Sequence, residues 1–223
     1  MKNIAVAIDG PAAAGKSTIA KKVAKILNFV YIDTGAMYRA FTYAVIKAGL
    51  DPKDEKASCS LIGKVSIDLL DDGRVICNDE DVTRVIRELG VSSNVSYIAS
   101  YKDIRLELVE MQRKLANSKN VIMDGRDIGT YVLPNADVKI YQIASVETRA
   151  KRRYKENVEK GIKSTYEEVV EDVKTRDRID SSRAFAPLKQ AEDAIAIDTS
   201  NMSIDEVTDE VLKLIKAKMK ELE

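Results

Sequence analysis

The stretch Ile4-Ala5-Val6-Ala7-Ile8-Asp9-Gly10-Pro11-Ala12-Ala13-Ala14-Gly15-Lys16-Ser17-Thr18 decides the fold. It opens with an apolar run of strand length. Gly10 to Ser17 fits G-x-x-x-x-G-K-[ST], and Ile19, Val23, Ile26 and Leu27 then recur at helical spacing. Strand, glycine-bounded loop and helix in that order is the setting that separates a phosphate loop from a chance match. A tight turn aims successive backbone N–H groups at one point, and the helix N-terminus adds its dipole. Lys16 can then reach the β- and γ-phosphates of a nucleotide, and the Ser17 hydroxyl can ligate Mg²⁺ directly. Gly10, Pro11, Ala12, Ala13, Ala14, Gly15, Lys16, Ser17 and Thr18 are the expected donor-binding set, with ATP as phosphoryl donor.

Four further apolar runs read as buried strands: Phe29 to Ile32, Val121 to Met123, Val138 to Ile143 and Ala194 to Ile197. Near-continuous runs suit parallel strands covered on both faces. Helical patterns lie between them. Thr34 can cap a helix through Ile46 with Gly49 beyond its end; Ile104, Leu108, Met111 and Leu115 follow helical spacing; Ser203 and Glu206 can form a capping box for the last helix. The alternation predicts one α/β domain over 1–223, with a five-stranded parallel sheet flanked by helices. Ser66 to Leu70, Asp71-Asp72-Gly73 and Arg74 to Cys77 break the rhythm as a β-hairpin, which predicts an inserted lobe at about 60–97. The charged stretch at about 149–165 is expected to form a short, mobile lid.

Composition narrows the chemistry. The 36 basic and 36 acidic residues cancel, so no overall field draws the chain to nucleic acid. The chain has no histidine, so any proton transfer falls to other groups. Cys59 and Cys77 have neither metal-ligand spacing nor a disulfide framework, which suits a reducing, cytoplasmic setting. No apolar run approaches the roughly 18 residues of a membrane span, and no exposed apolar stripe stands out, so a monomer is expected.

The phosphate loop names a donor and leaves the acceptor open. A switch GTPase needs D-x-x-G and N-K-x-D; none of the ten glycines has Asp three residues before it, and no Asn precedes Lys. Asp33 ends the second strand, with Arg39 about one turn into the following helix, and Asp124-Gly125-Arg126-Asp127 ends the third. Ligands of open α/β sheets lie at those strand ends. Asp124 fits a carboxylate near Mg²⁺, although Asp-Gly is also a common turn. Arg176, Asp180 and Arg183 share a face if their segment is helical, as do Arg149, Arg152 and Arg153. Spacing alone leaves two readings of these stripes: a solvated ion-pair face, or guanidinium groups neutralising phosphates.

Taken together these stretches resemble the bacterial-type cytidylate kinases, nucleoside monophosphate kinases of the P-loop class. The resemblance runs from about Asn3 to the C-terminus. It rests on Ile8–Thr18, Ile32–Ala40, Asn78–Thr83 with Ile86-Arg87, Asp124–Tyr141 and Arg183–Leu188, in that order. It implies Mg²⁺-dependent transfer of the ATP γ-phosphoryl group to CMP or dCMP, by an enzyme that binds neither nucleic acid nor membrane. It implies that Arg39, Arg126 and Arg176 hold the acceptor phosphate and Asp180 the ribose. Ser96, Arg105, Asp127 and Arg183 would surround the cytosine, with Thr34 and Tyr38 as further acceptor contacts. Arg152 and Arg153 would be lid arginines over the ATP phosphates. The implied catalytic set is Lys16, Asp124, Arg126, Arg152 and Arg153, with Asp33 and Asp124 meeting the metal through water. The sequence departs from the family pattern at Ala12, which stands for a frequent serine, and at Arg178-Ile179, which stands for Asp-Arg in some members. Ala13 replaces a glycine often seen in related kinases. A kinase for UMP or shikimate, and an ATP-sensing module without turnover, are the alternatives.

Overall fold

The computed structural model describes residues 3–222 apart from 71, 118 and 160. Asp71 in the predicted hairpin turn and Lys160 in the predicted lid therefore lie outside the described residues. β1 (Ala5–Asp9) leads through the glycine-bounded loop into α1 (Lys16–Leu27), and β2 (Val30–Asp33) runs straight into α2 (Thr34–Lys47). Then come α3 (Glu55–Cys59), β3 (Ile67–Leu69), β4 (Val75–Cys77), β5 (Glu80–Asp81), and the short helices α4 (Leu89–Ser92) and α5 (Val95–Ile98). The chain continues through α6 (Lys102–Ala116), β6 (Val121–Gly125), β7 (Val138–Ile143), α7 (Val146–Glu159), α8 (Tyr166–Ser182), β8 (Ile195–Asp198) and α9 (Ile204–Glu221).

The main sheet has the order β2-β6-β1-β7-β8, and every pairing is parallel. All five predicted strands are present within a residue or two. Alternate residues of a strand face opposite sides, and here both sides are buried. Ile8, Ile122 and Ile140 pack with Ile19 and Val23 of α1 and Val211 of α9. Ala7, Ile32 and Met123 pack the other way, with Val109 of α6 and with Ile128 and Val132. That is why these strands read as continuous apolar runs. Truncating Ile122, which is fully buried, to alanine would cost about 2–5 kcal/mol. The order reverses at β1, whose neighbours β6 and β7 come from opposite sides of the crossover. Such a reversal opens a crevice at the carboxyl ends of the strands.

β3, β4 and β5 form a separate antiparallel sheet. β5 is absent from the sequence reading, because Glu80-Asp81 looks like loop. Its turn is built by Asn78 (φ 47°) and Asp79 (φ 64°), the two positive φ values of a tight I′ hairpin, which Asn and Asp tolerate. Val75, Cys77, Val82, Ile86 and Val91 pack from this region onto Met37, Phe41 and Val45 of α2. The N-cap of α2 is Asp33, not Thr34: its carboxylate accepts from Ala36 N at 2.8 Å. Thr34 is the first helical residue, and its hydroxyl is engaged by the Asp124 carbonyl at 2.7 Å. The predicted capping box of α9 forms through Ser203 and Glu206. No helix among the described residues is long and apolar enough to cross a membrane.

Candidate active site

The loop after β1 is held from beneath. A Cβ at Gly10 would lie 2.0 Å from the Gln142 carbonyl oxygen, so only glycine lets the loop pass so close to β7. Ala13 has φ 58°, a left-handed conformation that costs an L-residue roughly 1–2 kcal/mol. Gln142 donates from its amide to Ala14 O at 2.6 Å. Ala12 is held at both its backbone groups: its N–H donates to Asp177 Oδ1 (3.4 Å), and its carbonyl accepts from Arg149 (3.0 Å). Arg149, from α7, and Asp177, from α8, are themselves paired at 2.7 Å. Lys16 is buried and donates to the carbonyls of Gly10 (2.7 Å) and Pro11 (2.8 Å). Burial, then the positive charge of Arg126, pushes its pKa well below the ordinary value.

Beside the loop, at the ends of β2 and β6, lie Asp33 and Asp124. Ser17 donates its hydroxyl to Asp124 Oδ2 at 2.8 Å, and Tyr31 donates to Oδ1 at 2.6 Å. Burial and the neighbouring Asp33 charge raise the pKa of Asp124, against the pull of Lys16 and these two hydroxyls. Asp33 is equally buried, yet Arg39, Arg87 and the Ala36 N–H outweigh the desolvation and hold its pKa down. Arg39 lies 3.3 Å from Asp33, and Arg87 reaches the same oxygen at 3.4 Å from the region of the small sheet.

Charged pairs cluster on the other side of Gly125. Arg126 Nε donates to Asp180 Oδ2 at 2.8 Å. Arg105 is almost wholly buried, donates to Ala99 O at 2.9 Å and to Asp127 Oδ2, and lies over the Tyr38 ring. Arg183 lies 3.3 Å from Asp127 Oδ1 and donates to Ala186 O at 2.7 Å. Arg126, Arg183 and Arg176 outweigh burial and keep the Asp180 pKa below the usual carboxylate value. Burial and the nearby Arg153 lower the Arg176 pKa to about 10. The Nε atoms of Arg39 and Arg176 are buried without a hydrogen-bond partner. Apart from Ala186, the groups around Asp127 and Asp180 line one cleft of about 760 Å³ together with Lys16, Ser17, Asp33 and Asp124. That volume lies within the range of nucleotide-sized sites.

The cytidylate kinase family model matches residues 6–217. The chain belongs to the cytidylate kinase family. The cytidylate kinase of Halalkalibacterium halodurans is 50% identical over 98% of this chain and all of its own. That of Anoxybacillus flavithermus is 52% identical over 98% of each. Among solved structures, an uncharacterized protein from Eubacterium ventriosum shares the fold, with a TM-score of 0.54 at 16% identity over 97% of this chain and 99% of its own.

In this cytidylate kinase family member most of the residues singled out in the sequence line this cleft, Ala13, Ala14 and Gly15 among them, whereas Gly10, Pro11 and Ala12 of the same loop are not among its lining residues. Lys16, Ser17, Thr18, Arg152 and Arg153 line it, as do Thr34, Tyr38, Arg39, Ser96, Arg105, Asp127, Arg176, Asp180 and Arg183. Two helical stripes need correction. Arg183 lies past the end of α8, with ψ 140°, and arrives at Asp127 from a bend instead of a shared helix face. Arg149 does not stand with Arg152 and Arg153 over the cleft but turns inward to grip Ala12. Arg152 donates to Ala14 O (3.2 Å) and Thr199 O (2.7 Å), while Arg153 pairs with Glu156 at 3.5 Å.

Tyr31, Arg87, Asp9 and Gln142 escaped the sequence reading. Asp9 and Gln142 carried a signal, a polar side chain inside or closing an apolar strand beside the phosphate loop. Arg87 carries no signal beyond its place in the Ile86-Arg87 stretch on which the family resemblance rests. Asp9 accepts from Ile128 N and Gly129 N, and burial raises its carboxyl to about 6 although both N–H groups pull it down.

Proposed function

We propose that the chain transfers the γ-phosphoryl group of ATP to CMP or dCMP, giving ADP and CDP or dCDP. The observation that carries this reading is that one cleft holds both a phosphate loop and two arginines converging on the buried carboxylate of Asp127. Arg39, Arg126 and Arg176 hold the acceptor phosphate, and the partnerless Nε atoms of Arg39 and Arg176 suit an oxyanion. Asp180 takes the ribose, with Thr34 and Tyr38 as further acceptor contacts. Asp127 accepts from the cytosine N4 amine, and Arg105 and Arg183 donate to its ring acceptors beside Ser96. Uracil carries a carbonyl where cytosine carries the amine, so UMP would set an acceptor against the carboxylate. A site built to hydrogen-bond one group rejects its replacement strongly.

The acceptor atom is a phosphate oxygen that is already ionised near neutral pH. No general base is required, in keeping with a chain that has no histidine. Positioning and charge neutralisation carry the reaction. Lys16, Arg126, Arg152 and Arg153 neutralise the transferring group. The oxygen donors present suit Mg²⁺: Ser17 would hold it directly, and Asp33 and Asp124 through water. Mg²⁺ of this kind is commonly held by one or two protein oxygens together with the nucleotide phosphates. When bound, Mg²⁺ supplies charge stabilisation at those phosphates.

Residues 60–97 serve as the acceptor-binding lobe and 149–165 as the lid, closing to exclude water that would otherwise hydrolyse ATP. The most exposed large apolar side chains, Ile26, Leu89, Val158, Ile195 and Ile204, lie on five different elements, in keeping with a monomer; its partners are small nucleotides, without nucleic acid or membrane. The free cysteines Cys59 and Cys77 suit the cytoplasm. A coupled ADP-release assay over CMP, dCMP, UMP, AMP and shikimate tests the reading. Turnover confined to CMP and dCMP is expected; equal or faster turnover with another acceptor, or none with any, overturns it.

A further inference from the structure

Asp9 closes β1 immediately before the phosphate loop, and its side chain serves the turn that follows Asp127. Oδ1 accepts from Ile128 N at 2.8 Å and Oδ2 from Gly129 N at 2.7 Å. These are the two residues after Asp127. They begin a π-helical turn, Ile128–Val132, in which the Asp127 carbonyl accepts from Tyr131 N (2.8 Å) and Val132 N (3.1 Å). A π-turn is an uncommon conformation that recurs at functional sites and needs outside support. Asp9 supplies that support at its first two N–H groups. The approach depends on the residue at 129: a Cβ there would lie 3.1 Å from Lys139 Cδ and 3.4 Å from Asp9 Oδ2. Asp9 is itself fixed, paired in register with Gly125 of β6 and Tyr141 of β7, and almost fully buried.

We infer that Asp9 is a positioning residue for acceptor discrimination, locking the turn that carries Asp127 to the strand that carries the phosphate loop. It touches neither nucleotide. It holds the base-reading carboxylate in constant register with the donor, so that Asp127 meets the acceptor base only when the acceptor phosphate lies in line with ATP. This rests on the assignment of Asp127 to the cytosine.

Asp9→Asn keeps the shape but presents an NH₂ group to one of the two N–H donors. The discrimination ratio, kcat/KM for CMP over kcat/KM for UMP, is the informative readout, since both acceptors carry the same phosphate and any change in its ionisation cancels. Asp9→Asn should lower this ratio about tenfold, the scale of one lost buried hydrogen bond, with the KM for ATP changed less than about twofold. Gly129→Ala leaves Asp9 chemically intact while crowding its approach, so it should shift the ratio the same way and stands in if Asp9→Asn does not fold. Asp127→Ala is measured alongside. A ratio lost in Asp127→Ala but intact in the folded Asp9 and Gly129 variants overturns the role of Asp9 alone. A ratio intact in Asp127→Ala overturns the cytosine assignment and this inference with it. Equal rises in KM for ATP and CMP would leave Asp9 with a general structural role and also overturn the inference.

Discussion

Asp33 and Asp124 are register partners at the ends of neighbouring parallel strands, and their surroundings push their carboxyl groups in opposite directions. Asp33 is claimed by Arg39 and Arg87. Asp124 accepts from two neutral hydroxyls. Two like charges on adjacent strand ends would repel, and this division lets both remain in a buried site. Asp33 is thereby balanced by arginines while Asp124 is partnered by neutral hydroxyls, so of the two carboxylates proposed to meet Mg²⁺ through water, Asp124 is the one whose loss should weigh more.

Asp124→Asn should therefore raise the Mg²⁺ concentration for half-maximal activity and lower kcat, each by about 10–100-fold, the usual effect of removing a group that orients a metal site. Mg²⁺ titrations of initial rate check this. An unchanged Mg²⁺ requirement would remove Asp124 from the metal's surroundings.

Lys16→Ala should reduce turnover by about 10²–10³-fold, as for loss of a preorganised group facing developing charge. Lys16 is bonded within its own loop, so the circular dichroism spectrum should match that of the parent. Near-normal turnover would sink its assignment.

Arg105→Ala should destabilise the fold by about 3 kcal/mol, the lower end of the range for breaking a buried ion pair. Arg183 still faces Asp127 in that variant, at 3.3 Å, which keeps the cost low. Urea denaturation gives the value, and a loss under 1 kcal/mol would mean that Arg105 adds little to the buried cluster.

Ala13→Gly should stabilise the protein by about 0.5–1 kcal/mol, because it relieves a left-handed alanine at a smaller cost in unfolded-chain entropy. The urea midpoint should rise with an unchanged slope. A lower midpoint would show that loop contacts already offset the strain.

Asp180 links pH to stability. Its folded pKa lies below its ordinary value of 3.8 because Arg126, Arg183 and Arg176 outweigh burial. Its contribution is therefore full above the ordinary value and is lost as pH falls through the lowered one. The stability gap between parent and Asp180→Asn should be widest near neutral pH and close below about pH 4. A gap that persists in acid would make its origin packing instead of charge.

The parallel sheet was legible because both faces of β1 and β6 are buried, leaving unbroken apolar runs that little else produces. The phosphate loop was legible because it is contiguous in sequence. The cluster around Asp127 was less so. Arg105, Asp127 and Arg183 meet from three elements, and spacing within one helix says nothing of such convergence, so the resemblance to cytidylate kinases named these residues where periodicity could not. The same limit explains Arg149, whose helical spacing matches Arg152 although its burial sends it elsewhere. Arg87 and Asp9 act across 54 and 119 residues of chain, a distance at which a lone charged residue carries no local sign of its partner.

Ala12 lacks the hydroxyl that a serine would bring, yet its peptide groups are gripped by α8 through Asp177 and by α7 through Arg149. Its amide is thus a built-in spectroscopic reporter. In a ¹⁵N-labelled sample, the Ala12 resonance would register the posture of α8 and the Ala13 resonance, whose peptide includes the Ala12 carbonyl, that of α7, and solvent exchange at the Ala12 N–H would track how often Asp177 lets go.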